Sequence, residues 1–306
     1  MTPPKPALLR RWLTLPVAAL LLAGGGAALL TFSHSVSKQA HEQGLMQPSA
    51  PNTGAKDALT QHLSLIMLGG LRSLAAEILA LDASNAWLEQ DWPRARQRWE
   101  QITSICPQRA NYWARAARDM AKNAVAHVQE RDDLNEHERA VLTKEYLDTA
   151  EDFLTKGVAA NPGNVTLLLE MGAFYEDLAR RPQFRKAVET YRRAIAAGAP
   201  EMFRRWEFYN LCRIRGCEAE ALQLGRTLFR QERHRAPSVR CLLFALQNKL
   251  NIPPQERISV ETLFGSQEKA VRQLRRYLHN DLRFPVHGVA EFLQASSSPA
   301  PQSARG

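Results

Sequence analysis

Apolar residues recur at steps of three and four through most of the chain. The clearest run is Val165 to Pro200, VTLLLEMGAFYEDLARRPQFRKAVETYRRAIAAGAP. Leu168, Met171, Gly172 and Tyr175 fall on one face of a helix. Arg181-Pro182 breaks the pattern, and Ala187, Tyr191 and Ala194 then share a face of a second helix that Gly198 and Pro200 close. The pattern predicts a helix hairpin. Gly172, Ala187 and Ala194 let the two helices approach, while Leu168, Tyr175 and Tyr191 fill the seam. A hairpin this short cannot bury its own apolar face, so it needs neighbours of its own kind.

The chain supplies them. Ala95, Trp99, Ile102 and Pro107 are separated by 4, 3 and 5 positions, and Ala150, Leu154, Gly157 and Pro162 by the same steps. Ala187, Tyr191 and Ala194 repeat the first two steps, with Pro200 one residue late. First helices follow in register. Trp113 lies six residues after Pro107, and Leu168 six after Pro162. Ala116, Ala117 and Met120 follow the one, as Met171, Gly172 and Tyr175 follow the other. No run of alternating β-branched residues argues for strands. The prediction is all-α. By this spacing Trp87, Trp99 and Trp113 belong to the core.

These positions resemble the tetratricopeptide repeat (TPR): Trp, Leu-Gly and Tyr on the first helix, then Ala, an aromatic, a small residue and Pro on the second. The resemblance covers roughly Leu74 to Phe229 and implies an α-solenoid of about four to five hairpins. One unit departs from the usual period through an insertion near Lys122–Glu145. The unit at Met202–Arg235 carries Arg233 where Pro is expected, and Ala236–Leu250 begins a further half-repeat. Helices over Glu256–Phe264 and Gln267–Leu282 would cap the stack. The Leu68-Gly69-Gly70-Leu71-Arg72 entry, followed by a Trp-bearing repeat, is similar to membrane-anchored bacterial TPR proteins of undefined role.

The N-terminus reads differently. Trp12 to Phe32 is a 21-residue stretch without charge, long enough to span a bilayer as a helix. Lys5, Arg10 and Arg11 precede it and only Lys38 follows soon after, which places the N-terminus in the cytoplasm and the rest outside. Residues 1–11 are then a cytoplasmic N-terminus, 12–32 a transmembrane helix, 33–56 a linker and 57–295 the repeat domain, with a cap near 254–283. A cleaved signal peptide is the competing reading, with Gly25-Gly26-Ala27 small enough for cleavage. The tail, 296–306, is poor in apolar residues and expected to be disordered.

Charge adds one feature. The chain of 306 residues carries a formal net charge of +9. From Arg180 to Arg283 there are 22 Lys and Arg against 10 Asp and Glu, so the remainder is slightly acidic. A basic C-terminal third suits an acidic partner, anionic lipid or polymer. Solvated outer helix faces account for it equally well. Nucleic acid is not expected as a partner outside the cytoplasm.

Chemistry is sparse. The four cysteines, Cys106, Cys212, Cys217 and Cys241, show no metal or redox spacing. An oxidising compartment would permit a disulfide among the last three, and buried free thiols are the other reading. Eight histidines occur without metal-ligand spacing, and no nucleophile motif or phosphate-cradling loop is present. No enzyme activity, cofactor or metal is expected. The resemblance instead implies a concave groove lined by first helices. Its positions map to Asn111, Arg115 and Arg118, then Thr166, Glu170, Ala173 and Glu176, then Phe203, Trp206, Asn210 and Arg213, and finally Arg240 and Gln247. A peptide or helix of another cell-envelope protein is the expected ligand. For Trp206, packing against the next repeat and anchoring a ligand both remain open. Glu170 and Glu176 would form an outward acidic step between arginine-bearing ones.

Overall fold

The computed structural model describes residues 72–279 and 283–297. The expected transmembrane segment, the linker and the tail beyond Ser297 lie outside these residues. Among the described residues the secondary structure is helical, with no strand, and no helix is long and apolar enough to cross a membrane. The chain divides into two compact units, Met1–Pro107 and Gln108–Gly306.

The described part of the first unit is one antiparallel hairpin, α1 (Arg72–Leu88) and α2 (Trp92–Ile105). Its seam is made of small residues on α1 and large ones on α2. Ala76, Ala83 and Ala86 are buried, opposite Ala95, Trp99 and Ile102. The connection ends α1 in a Schellman arrangement: Gln90 N donates to Trp87 O at 3.1 Å and Asp91 N to Ala86 O at 2.8 Å. Gln90 therefore sits in the left-handed region, with φ 59°, where glycine is usual. Asp91 caps α2 by accepting from Arg94 N at 3.1 Å. Asp82 accepts from both Arg94 and Arg98 across the hairpin.

Trp87 is not a core residue: it is 41% exposed. It follows buried Ala86 by one residue, about 100° around the helix, which turns it off the seam. Leu74, Ile78, Leu81 and Leu88 are exposed as well.

The second unit begins with α3 (Ala110–Arg118), which continues through a π-helical turn (Asp119–Ala124) into α4 (Val125–Glu130). Its partner is α5 (Glu136–Ala160), whose start carries a capping box between Asn135 and Glu138. The stretch near Lys122–Glu145 thus forms the far ends of two long helices. Next come α6 (Val165–Glu176) and α7 (Phe184–Ala196), then α8 (Arg204–Leu211) and α9 (Glu218–Arg230). Within this unit α3 packs on α6, α7 on α8, and α9 on α10 (Pro237–Lys249).

One device closes all three hairpins. Each sets an aromatic ring of one helix against a glycine of the other. A Cβ on Gly157 would stand 2.7 Å from Trp113 Cβ, one on Gly172 2.9 Å from the Tyr191 ring, and one on Gly225 2.7 Å from the Phe208 ring. Only a residue without a side chain permits these approaches. The hairpin predicted at Val165–Pro200 is α6–α7, with Leu168, Tyr175, Ala187, Tyr191 and Ala194 all buried.

The C-terminal end departs from expectation. Pro254–Glu256 is a 3-10 turn, and the helix proper, α11, is only Val260–Phe264. The next, α12 (Gln267–Leu278), ends short of Leu282. Arg283 onward folds back, and a further helix, α13 (Val289–Ser297), packs on α12. Val289 is fully buried and Phe292 meets Phe244 with ring centroids 5.3 Å apart.

Candidate binding groove

Two concavities adjoin along α3, α6 and α8. The first, about 80 Å³, lies between α3 with its π-helical turn and α6. It is lined by Ala117, Arg118, Ala121, Lys122, Leu154, Glu170, Ala173, Phe174, Asp177 and Arg180. The second, about 410 Å³, lies between α6 and α8 and is lined by Ala173, Glu176, Asp177, Leu178, Trp206, Tyr209 and Arg213. Ala173 and Asp177 belong to both, so the surface is continuous.

Six of the predicted groove residues meet there: Arg118 and Glu170 in the first concavity, Glu176, Trp206 and Arg213 in the second, and Ala173 in both. Their charges are largely answered from within. Arg118 pairs with Glu170, bridging α3 to α6. Arg180 pairs with Asp177 at 3.1 Å. Glu176 accepts from Tyr191 Oη at 3.0 Å and from Asn210 Nδ2 at 2.6 Å. Burial lifts the Glu176 carboxyl above the usual range, against the pull of those two hydrogen bonds. Burial lowers the Arg213 guanidinium, opposed by Glu176. Glu176 is therefore a half-buried member of a network and not the outward acidic step expected of it.

Asn210 is the second correction. It is 0% exposed and lines neither concavity. It faces inward because its amide donates to Glu176 and to Trp206 O at 2.8 Å. Its role is to position the carboxylate. Asn111 and Arg115 lie exposed on α3, away from both concavities. Arg240 is half-buried on α10, and its Nε has no partner among the described residues.

Aromatic rings form a row beside the second concavity. Phe203 and Trp206 have centroids 5.2 Å apart, Trp206 and Tyr209 6.3 Å, Tyr209 and Phe284 6.1 Å. Phe284 stacks on Tyr277 at 6.5 Å and 11°. Trp206 thus packs against its neighbours and lines the concavity too, with Arg205 over its ring at 5.6 Å. No family model and no curated protein matches the chain. The site therefore stands on its own geometry.

Sequence reasoning missed Phe284. The Arg213 guanidinium lies over its ring at 4.2 Å and over Phe184 at 5.3 Å. Tyr277 Oη donates to Pro285 O at 2.7 Å and holds that segment in place. Phe284 sits in a short stretch beside a proline with no helical periodicity, so the sequence carried no signal for it.

The cysteines are free. Burial pushes the Cys212 thiol up, and that of Cys241 up to about 12, which keeps both protonated and unreactive at neutral pH. Among the described residues no group of three His, Cys, Asp or Glu could hold a metal ion.

Proposed function

We propose that the chain is a membrane-anchored scaffold of TPR-like hairpins that holds a segment of another cell-envelope protein, a peptide or helix, along α3, α6 and α8. The observation that carries this reading is the continuity of the two concavities through Ala173 and Asp177. A rigid surface made by first helices, with cationic, acidic and aromatic groups in sequence, suits an extended or helical ligand better than a small molecule. The uncharged Trp12–Phe32 stretch and its basic flank support an anchor in the inner membrane, with the repeats on the periplasmic or extracellular side. Binding, not catalysis, is the activity this reading assigns.

Ala173→Trp tests it. Ala173 is exposed, so the indole blocks both concavities without disturbing the core. Partner capture from detergent-solubilised membranes is expected to be lost while the melting temperature stays unchanged. Capture equal to that of the parent protein would contradict the groove. A reporter fused after Gly306 tests the topology: activity only in the cytoplasm would refute it.

One observation favours a second reading, an anionic lipid or polymer bound to a basic surface with the repeats as spacer. Arg272, Arg275 and Arg276 on α12 have no acidic partner among the described residues. That reading predicts binding which collapses steeply with salt.

A further inference from the structure

Some arginines of the second unit are neutralised in place. Arg118 meets Glu170, Arg180 meets Asp177, Arg192 meets Glu207 at 2.7 Å, and Arg204 meets Glu201 at 2.8 Å. Arg272 and Arg276, like several other arginines of this unit, meet no acidic group among the described residues. They stand four residues apart, on one face of α12, and both line a cleft of about 350 Å³ between α10 and α12. Ser238 and Gln273 line it with them, and Tyr277 and Phe284 form an apolar wall. Gln273 Oε1 is buried and accepts from nothing among the described residues. A buried acceptor left unmet is costly, and such an atom in a cleft marks a place for a donor.

The two demands together define the ligand. Arg272 and Arg276 call for an oxyanion. Gln273 Oε1 calls for a hydrogen-bond donor, which a backbone N–H supplies. A bare phosphate or phosphodiester offers the first without the second. A peptide offers both, and the side chain next to its acid can cover the ring wall. We propose that this cleft binds an Asp or Glu side chain of an extended protein segment, with the carboxylate between Arg272 and Arg276, a backbone N–H on Gln273 Oε1, and an apolar neighbour against Tyr277 and Phe284. Phe284 also meets Arg213, which lines the second concavity, so cleft and groove adjoin at that ring. The inference rests on the partner reading above for the ligand being a protein segment, and it adds the acidic residue that the segment must carry.

The test uses the full chain in detergent and two pools of fluorescently labelled, C-terminally amidated hexapeptides with randomised flanks. One pool has a central Phe-Glu, the other a central Phe-Gln. By anisotropy the Phe-Glu pool is expected to bind about tenfold more tightly. Arg272→Gln with Arg276→Gln is expected to erase that difference without changing the circular dichroism, since both side chains are exposed. Gln273→Leu is expected to weaken the Phe-Glu pool several-fold while raising the melting temperature, because it deletes the unmet acceptor. Inorganic phosphate and phosphatidylglycerol vesicles are the competing arms. The proposal is overturned if the two pools bind equally, if neither binds at millimolar concentration, if the double variant keeps the preference, or if vesicles alone bind in an Arg272- and Arg276-dependent way. Ala173→Trp separates the two readings. It should leave hexapeptide binding intact, so a loss of partner capture without a loss of hexapeptide binding concerns the groove alone.

Discussion

The hairpin α1–α2 and the hairpin α6–α7 are built from similar helical patterns, yet they are held together differently. In α1–α2 the seam is alanine against tryptophan and isoleucine, and an ion-pair bridge through Asp82 ties the exposed edge. The opposite face, with Leu74, Ile78, Leu81 and Leu88, is exposed. In α6–α7 the seam is an aromatic ring seated on a glycine, and neighbouring hairpins cover the remaining faces. The difference teaches that periodicity makes the hairpin, while coverage decides which of its faces becomes core. It also gives the two regions different vulnerabilities.

The largest expected effect sharpens the first seam. Trp99→Ala should cost α1–α2 about 3–5 kcal/mol, as truncation of a fully buried aromatic does. Trp87→Ala should cost below about 1 kcal/mol despite the same chemical change. Region-resolved hydrogen exchange would read both. Equal effects would mean that Trp87 is core after all.

The second prediction concerns the glycine seams. Gly→Ala inside a helix normally stabilises by about 1 kcal/mol. Gly157→Ala should instead destabilise by about 1–2 kcal/mol, since the new Cβ meets Trp113 Cβ, an atom that cannot swing away. Denaturant unfolding reports the sign, and a stabilised variant would break the contrast between the two kinds of seam.

Two carboxylates should give the regions opposite pH slopes. Hydrogen bonds from Arg98 and Arg94 hold Asp82 below its ordinary value of 3.8. Its contribution is present above that value and lost as pH falls through the lower folded value. Burial raises Glu176 above its ordinary 4.5. Its contribution is present below 4.5 and lost as pH rises through the raised value. Lowering the pH from 6 toward 3 should therefore weaken protection in α1–α2 and strengthen it around α6–α8. Asp82→Asn and Glu176→Gln should each flatten the slope in their own region only. Parallel slopes in the two regions would contradict these assignments.

The smallest effect is at the α1–α2 turn. Gln90→Gly should stabilise that hairpin by about 0.5–1 kcal/mol, because it relieves a left-handed backbone that glycine adopts freely. No gain would imply that the Gln90 side chain has a compensating contact.

Much of the helical fold was legible in the sequence, since steps of three and four identify residues that share a face. That information says nothing of which face is covered. Trp87 illustrates the limit, as one residue of helical rotation separates it from a buried alanine. Asn210 illustrates another: a polar residue at a groove position can turn inward when its amide donates to a half-buried carboxylate, here Glu176, and to a backbone carbonyl. Of the candidate groove, Arg118, Glu170, Trp206 and Arg213 were readable because first-helix positions recur. Phe284 was not, because a segment that folds back beside Pro285 has no period to read.

The groove itself is tested most directly by photocrosslinking from position 173 of the full chain in native membranes, with exposed Glu189 on α7 as the reference site. The account predicts a discrete crosslinked partner from position 173, absent from position 189 and abolished by Arg118→Glu. Identical crosslinks from both positions would show that α3, α6 and α8 hold nothing of their own.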